Sequence, residues 1–561
     1  MPYVAPLTEF RFLLDHVVGF DRVAATPRFA EASAATVEAI LTGAGRLCTE
    51  VLAPLQRSGD RHPARLENGV VRTAPGFAEG YRAIVAGGWV GMSADPAYGG
   101  LGLPITLAMC VNEMMASACL AVQLNPLMTQ GQIEALEHHA SAALKAVYLP
   151  KLISGAWCGT MNLTEPQAGS DVGALRSRAE PNGDGTYAVT GQKIYITWGD
   201  NDFTENVCHL VLARLPGAAE GSRGISLFLV PKLIPDAGGQ PGVRNRLKVV
   251  SLEHKLGLHG SPTAVMQYEG ATGWLVGAPH KGMAAMFTMM NNARLGVGVQ
   301  GVGVAEAATQ AAVAHALDRR QGRTPLGATA IFDHADVRRM LGGMRAETFA
   351  ARAIALSCAV AIDMAHATGD PAWAARAALL TPIAKAYGTD VGCEVAQTGV
   401  QVHGGMGVIE ETGAAQYARD VRVTAIYEGT NGIQAMDLVG RKMQDGGAAA
   451  FALMDEAAAV GGPADLRGDV VAAVQALRVA TRALLAQEMN DRFAGAVPYL
   501  RAFARVLGAA AHLAAAAADP ARAPLARFYI RRLLPEHAAL LAQVREGAAG
   551  LYALGAAQVQ A

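Results

Sequence analysis

Asn182-Gly183-Asp184-Gly185-Thr186-Tyr187-Ala188-Val189-Thr190 decides the fold class. The Asn-Gly-Asp-Gly run is a turn, and Thr186–Thr190 then alternates as a half-buried strand does. Working outward, Val207–Leu212 and Ile225–Val230 are rich in β-formers, with glycine and proline between them. The texture predicts a compact antiparallel β domain of roughly a hundred residues from about Trp157 to Val276. Upstream, Ala35–Leu55 and Ile105–Ala121 carry apolar residues at helical spacing, parted by the turn-rich Ala97–Pro104. Downstream of Lys281, Glu306–Leu317, Asp336–Thr368 and Trp373–Ala396 are long enough for an antiparallel bundle. A linker, Gly446-Gly447-Ala448, leads into an alanine-rich helical block. The predicted class is α+β and mostly α. Its parts are an N-terminal extension (1–35), an N-terminal helical domain (36–157), a central antiparallel β domain (158–278), a four-helix bundle (279–445) and an additional C-terminal helical domain (446–561).

Composition narrows the function classes. Of 561 residues, 51% are hydrophobic and 17% charged, which excludes a disordered chain. The formal net charge of −1 offers no attraction to a polyanion, so no nucleic acid partner is expected. Cys48, Cys110, Cys119, Cys158, Cys208, Cys358 and Cys393 are scattered and odd in number, with no C-x-x-C pair. That pattern reads as reduced core thiols in a cytoplasmic protein, without a metal site. The opening Met1-Pro2-Tyr3-Val4-Ala5-Pro6 lacks a leader pattern, and no uninterrupted apolar run suits a membrane span.

Gly296-Val297-Gly298-Val299-Gln300-Gly301 matches G-x-G-x-x-G, with Asp318 near the distance of a ribose-binding acid. A dinucleotide fingerprint needs a strand immediately before it. Phe287–Arg294 is poor in β-branched residues, and small residues continue at Gly303, Ala305, Ala307 and Ala308. Tight helix–helix packing explains the run better.

Five segments can carry chemistry. Ile426-Tyr427-Glu428-Gly429-Thr430-Asn431-Gly432-Ile433-Gln434 sets one carboxylate beside a glycine and an apolar pair. Such a group is either a base for a dry pocket or an exposed loop acid. Leu163-Thr164-Glu165-Pro166-Gln167-Ala168-Gly169-Ser170-Asp171 offers N–H and O–H donors to a pyrophosphate or ring edge, or is an ordinary connection. Gly191–Gly199 presents Tyr195 and Thr197, an aromatic wall and a hydroxyl, or a core tyrosine with a surface threonine. Ala316–Gln321 ends a helix in two arginines that suit phosphate or solvent. Val400–Gly407 is a glycine-rich approach for a cofactor or a helix C-cap, with His403 inside it.

Together and in this order, these segments resemble the acyl-CoA dehydrogenase family over nearly the whole chain to about residue 445. The resemblance implies FAD as cofactor and oxidation of an acyl-CoA thioester to the trans-2-enoyl-CoA. Glu428 would be the catalytic base taking the α-proton while hydride passes to flavin N5. The base's own backbone N–H and a flavin hydroxyl would polarise the thioester oxygen. Thr164, Ser170, Tyr195 and Thr197 would contact FAD, with Ser170 also near CoA. Arg319, Gln321, Gln401, Gly404 and Gly405 would reach the FAD of a neighbouring subunit. Thr430 and Gly432 would close over the cofactor, and Asn291, Arg294 and Gly429 would meet the substrate.

Three positions depart from the family pattern: Met161 for an aromatic, Trp198 for a small or amide residue, and Gly322 directly after Gln321. The opening segment and the extra C-terminal block are similar to a longer branch that includes 3-methylmercaptopropionyl-CoA dehydrogenase. Medium- or long-chain acyl-CoA dehydrogenases and an acyl-CoA oxidase are the enzymatic alternatives. A DNA-alkylation-response flavoprotein is the non-catalytic one. From Asp445 onward, eleven arginines and no lysine face ten acids, poor steering for DNA. The expected partners are the acyl-CoA, an electron-transferring flavoprotein and a second copy in a homodimer, with no membrane.

Overall fold

The computed structural model describes residues 3–561; Met1 and Pro2, which open the segment read for a leader, lie outside them. The chain clusters into two compact units. One is Met1–Leu41, Ile105–Glu113 and Arg294–Ala561; the other is Thr42–Pro104 and Met114–Ala293. The principal helices are α1 (Leu7–His16), α2 (Ile105–His139), α3 (Gly282–Asp318), α4 (Ala335–Thr368), α5 (Pro371–His403), α6 (Asn431–Asp437) and α7 (Ala496–Ala518). The strands of the main sheet are β1 (Trp157–Asn162), β2 (Arg178–Pro181), β3 (Tyr187–Thr197), β4 (Asn206–Arg214), β5 (Ile225–Pro231), β6 (Leu247–Leu252) and β7 (Thr263–Val276).

Among the described residues these seven strands form one sheet, ordered β6-β7-β3-β2-β4-β1, with β5 paired to β7 and β4. Most pairs are antiparallel, as expected. The exceptions are β1, which runs parallel to β4 from Trp157↔Asn206 to Asn162↔Val211, and one parallel pair, Arg178↔Arg214. Nothing in the residues marks this pairing. β4 is buried from Asn206 to Ala213 and β5 along its whole length, so neither shows a polar face that would set direction. The core holds Val189, Ile196, Val211, Phe228, Val230, Met266 and Tyr268. β1 lies at the sheet edge, where Thr129 Oγ1 of α2 accepts the Gly159 N–H at 3.0 Å. A helix side chain there supplies what a further strand would have supplied.

The N-terminal domain, residues 36–157, is mostly helical as expected. It also holds a hairpin, Arg65–Glu67 against Val70–Arg72, turned by Asn68 and Gly69 at φ 52° and 76°. Asn-Gly is the residue pair that a tight hairpin turn requires.

In the helical unit, the G-x-G-x-x-G run lies inside α3 and faces α5. A Cβ on Gly298 would fall 2.5 Å from Ala384 O, and one on Gly301 would fall 2.2 Å from Gly388 O. The glycines therefore let two helix backbones touch. At the centre of this unit, Arg352 of α4 is buried. Its Nη2 lies 2.6 Å from Glu113 Oε1 of α2 and 2.8 Å from Glu306 Oε2 of α3. Burial pushes Glu113 up to about 7 against the pull of Arg352. Glu306 is buried too, yet Arg352 and Arg345 hold it well below the ordinary carboxylate range.

Both chain ends pack on this unit. Val4 exchanges hydrogen bonds with Gln310 at 3.0 and 2.8 Å, and Gln310 also donates to Glu306 at 2.9 Å. The Phe10 ring of α1 lies 5.1 Å from the Arg352 guanidinium. From the C-terminal block, Arg505 of α7 pairs with Glu347 of α4 and, at 2.6 Å, with Glu536. Tyr387 of α5 donates to Glu347 at 2.5 Å. Arg522 meets Glu9 of α1 at 2.7 Å and lies 3.6 Å over the Phe12 ring.

By length and composition α2, α4 and α7 are long and apolar enough to cross a membrane, although polar residues interrupt each of them, and their apolar stretches are largely buried within the fold. Among the described residues no cysteine forms a disulfide, and all but the partly buried Cys393 are buried.

Arg352→Met takes the cation from buried Glu113 and leaves buried Glu306 with Arg345 alone. It is expected to cost about 3–5 kcal/mol, read as a lowered midpoint in chemical denaturation.

Candidate active site

Glu428 sits where the chain leaves one short helical turn and enters α6. Glu428 and Gly429 are both left-handed, at φ 56° and 86°. Gly429 adopts this conformation freely, whereas Glu428 does so at a cost, of about 1 kcal/mol or more. The surroundings over-determine the turn. Lys385 Nζ of α5 donates to Gly429 O at 2.9 Å and to Asn431 Oδ1 at 2.8 Å. The Asn431 amide donates in turn to Thr389 Oγ1 at 2.9 Å and Asp390 Oδ1 at 2.7 Å. Gln434 Nε2 reaches Glu428 O at 3.2 Å. Thr430 Oγ1 accepts the Ile433 N–H at 3.3 Å and so caps α6. On the other side, Tyr427 OH donates to Gln300 Oε1 at 2.5 Å, and Gln300 belongs to the glycine-rich run of α3.

The carboxylate is left available. Among the described residues neither its oxygens nor the backbone N–H of Glu428 has a hydrogen-bond partner. The side chain keeps some contact with solvent. The protein packed around it still pushes its pKa up to about 7, with Arg294 and then Lys385 pulling the other way. Arg294 is buried, 3.7 Å from Asp437 Oδ2 at the end of α6. A carboxylate tuned to neutrality, unbonded and held in a strained turn, has the properties of a general base.

The β unit holds a second set. Glu165 is the hub of the loop that carries Thr164 and Ser170. It accepts hydrogen bonds from Arg176 N at 2.7 Å, Ser177 N at 3.0 Å, Ser177 Oγ at 2.6 Å and Gln167 Nε2 at 2.6 Å. It also pairs at 2.8 Å with the fully buried Lys193 of β3. Burial alone would raise Glu165, but Lys193 and these donors hold it well below its usual range. Ile194 N donates to Thr164 O at 2.9 Å and ties the loop to β3. At that point β3 bulges, and Tyr195 takes φ 60° and stands 61% exposed. An exposed aromatic on a strained bulge, with Thr197 two residues on, is a surface built to meet something flat. Trp198 does not join it. It is buried against Phe77 and Phe203 and donates Nε1 to Ala121 O at 3.1 Å.

A third cluster gathers at the C-terminal ends of α3 and α5. His315 and His403 stack at 4.4 Å. The exposed Gln401, Gly404 and Gly405 adjoin His403, and the exposed Arg319 and Gln321 follow α3. Ile331 N donates to Arg319 O at 2.8 Å, closing a loop in which Gly322 takes φ 65°. The glycine directly after Gln321 is thus what that turn demands.

Of the expected residues, the structure joins Glu428, Gly429, Thr430 and Arg294 in one site, with Gly432 on α6. Thr164, Ser170, Tyr195 and Thr197 belong to the β unit, as does the exposed Asn291. Sequence reasoning missed Lys385, Asn431 and Glu165. The available signal was a lone lysine inside the otherwise uncharged Leu379–Tyr387.

Family models match four successive stretches. They are the acyl-CoA dehydrogenase N-terminal domain over residues 36–156, the middle domain over 160–271, the C-terminal domain over 280–443, and an acetyl-CoA dehydrogenase C-terminal-like domain over 448–555. The chain belongs to the acyl-CoA dehydrogenase family. This family member is 46% identical over 519 residues to 3-methylmercaptopropionyl-CoA dehydrogenase of Ruegeria pomeroyi, spanning 89% of this chain and 88% of that one. It is 34% identical over 426 residues to a butyryl-CoA dehydrogenase of Syntrophomonas wolfei, covering 72% and 70% of the two chains. In fold it is similar to Caenorhabditis elegans ACDH-11, solved in complex with C11-CoA, with a TM-score of 0.79 at 20% identity over 95% and 92% of the chains. The enzyme is an oxidoreductase of the acyl-CoA dehydrogenase class.

Glu428 carries a stability consequence. Its folded pKa, about 7, lies above that of an unfolded glutamate, so stability is lost as pH rises toward and through 7. Glu428→Gln removes this penalty. Its thermal midpoint is expected to exceed the wild-type value at pH 8, by an amount equivalent to about 1–3 kcal/mol, and to approach it at pH 5.

Proposed function

We propose that the protein catalyses FAD-dependent α,β-dehydrogenation of an acyl-CoA thioester, with Glu428 as the base. The observation that carries this reading is the unbonded Glu428 carboxylate, tuned to about 7 and set in a doubly left-handed turn. FAD, when bound, supplies the hydride acceptor for the β-carbon. The residues present fit that cofactor. Tyr195 offers an exposed ring, Thr164, Thr197 and Ser170 offer neutral hydroxyls, and Glu165 with Lys193 keeps their loop rigid without adding charge toward the ligand. Arg319, Gln321, Gln401, Gly404 and Gly405 are donors and small residues suited to phosphates and the adenosine end, offered by a second copy in a homodimer.

The chain's own chemistry follows from the site. Above about pH 7 Glu428 is ionised and can take the α-proton of a thioester. That proton is weakly acidic, so the carbonyl oxygen must be stabilised as negative charge moves onto it. The free N–H of Glu428 is a suitable donor, and its direction is fixed by the same turn that aims the carboxylate. Arg294 adds positive potential beside the base without a direct bond to it. The substrate reading follows the 46% identity to the Ruegeria enzyme, which favours a short acyl chain carrying a thioether. An electron-transferring flavoprotein is the proposed acceptor.

Purified protein is expected to be yellow and to bleach anaerobically with 3-methylmercaptopropionyl-CoA. A panel that includes butyryl- and longer acyl-CoAs ranks the substrates by kcat/KM. Glu428→Gln is expected to keep its flavin yet lose about a thousandfold in kcat. Turnover at the wild-type rate would assign the base elsewhere, and a colourless protein would remove the flavin reading altogether. The kcat/KM profile should rise with pH through about 7.

A further inference from the structure

Lys385 has no role in the steps above, and it is buried without contact to solvent. A buried ammonium is costly unless its protons and its charge are both answered. Two of its protons go to Gly429 O and Asn431 Oδ1, both on the C-terminal side of the base. Asn431 is itself fixed by Thr389 and Asp390, from the next turn of the same helix. Lys385 thus spans from a rigid helix to the carbonyl that ends the left-handed pair 428–429. A neutral donor could make the same hydrogen bonds. The charge needs a separate reason, and the neighbouring acids supply it.

We propose that Lys385 is a positioning residue for Glu428: its ammonium locks the 428–429 turn and keeps the carboxylate in its anionic, proton-accepting form. This rests on the reading of Glu428 as the base.

The groups facing the pair are few. Around Lys385 stand Glu428, Asp390, Arg294 and Cys393; around Glu428 stand Arg294, Lys385 and Tyr427. Burial brings Lys385 down to about 8, against the pull of Glu428 and Asp390. The lysine therefore loses its charge just above the pH at which the glutamate gains one. Tyr427 and Cys393 are both pushed up by burial and stay neutral across this interval. Arg294, lowered by burial from a much higher starting value, stays cationic. Burial pushes Glu428 up and Lys385 down, so the state with Glu428 ionised and Lys385 protonated is confined to pH near neutrality.

The test uses full-length holoenzyme and reads kcat, KM and the pH dependence of kcat/KM with 3-methylmercaptopropionyl-CoA and butyryl-CoA. Wild type is expected to show an acid limb near 7 and an alkaline limb near 8. Lys385→Gln keeps a hydrogen-bond donor and removes the charge. Its alkaline limb should vanish, and its acid limb should move up by about one pH unit, because a nearby cation no longer favours the carboxylate. At pH 7 its kcat should fall at least about tenfold with KM changed less than about twofold. Lys385→Arg should restore the acid limb and carry the alkaline limb beyond pH 9. Lys385→Met removes donor and charge together; should it not fold, the Gln and Arg pair still decides. A Lys385→Gln profile that superimposes on wild type, or an Arg variant no better than Gln, overturns the proposal. Wild-type protein that oxidises no acyl-CoA overturns instead the reading of Glu428 on which it rests.

Discussion

Arg352 is the constraint on which the helical unit depends. One guanidinium answers two carboxylates brought in from different helices, and all three groups are out of water. Such an arrangement adds little net stability over an apolar core, because desolvation offsets most of the attraction. It is selective, however. Sliding α2 past α4 by one turn would part Glu113 from Arg352 and leave a buried charge unanswered, at a cost of about 3–5 kcal/mol. The ion pair thus disfavours the neighbouring registers. Close glycine packing between α3 and α5 then sets the depth to which the helices approach. A second buried carboxylate of α4, Asp363, accepts the Ile105 and Thr106 N–H groups at 2.7 and 2.9 Å and so fixes where α2 begins.

The loops that matter chemically are held in the same manner. Each is held by buried polar side chains. Lys385 and Asn431 tie the turn after Glu428 to α5, and Glu165 gathers the backbone N–H groups of Arg176 and Ser177. Irregular backbone has no ladder to satisfy its donors and acceptors, so a buried side chain takes that part. Strain at Glu428 and at Tyr195 is tolerated because these hubs leave the chain no cheaper route.

What could be read from the residues follows from which physics leaves a periodic trace. Helices α3, α4 and α5 were legible because long runs of apolar and small residues continue there without strand alternation, as in helices buried nearly all round. The strand region was legible because Thr186–Thr190 alternates after a glycine turn. The parallel pairing of β1 with β4 was not, since strands covered on both faces lose their alternation. Residues beyond Ala121 in α2 were hidden by the irregular backbone at Cys119 and by Pro126, which reads as a stop. Glu428 is singled out by its local stretch, and Arg294 by the family resemblance. Lys385 lies 43 residues before Glu428, the difference of their positions, and no local pattern joins them. Trp198, a departure from the family pattern, fills the interior of its own unit. A one-residue shift at the β3 bulge decides which way such a side chain turns, and sequence does not report bulges.

The contact of Arg522 with Glu9 and Phe12 joins α1 to a segment far along the chain. The Phe10 ring beside Arg352 is carried on that same helix. Loosening of either segment withdraws support from the other, so the cover over the buried charge cluster is shared between regions distant in sequence.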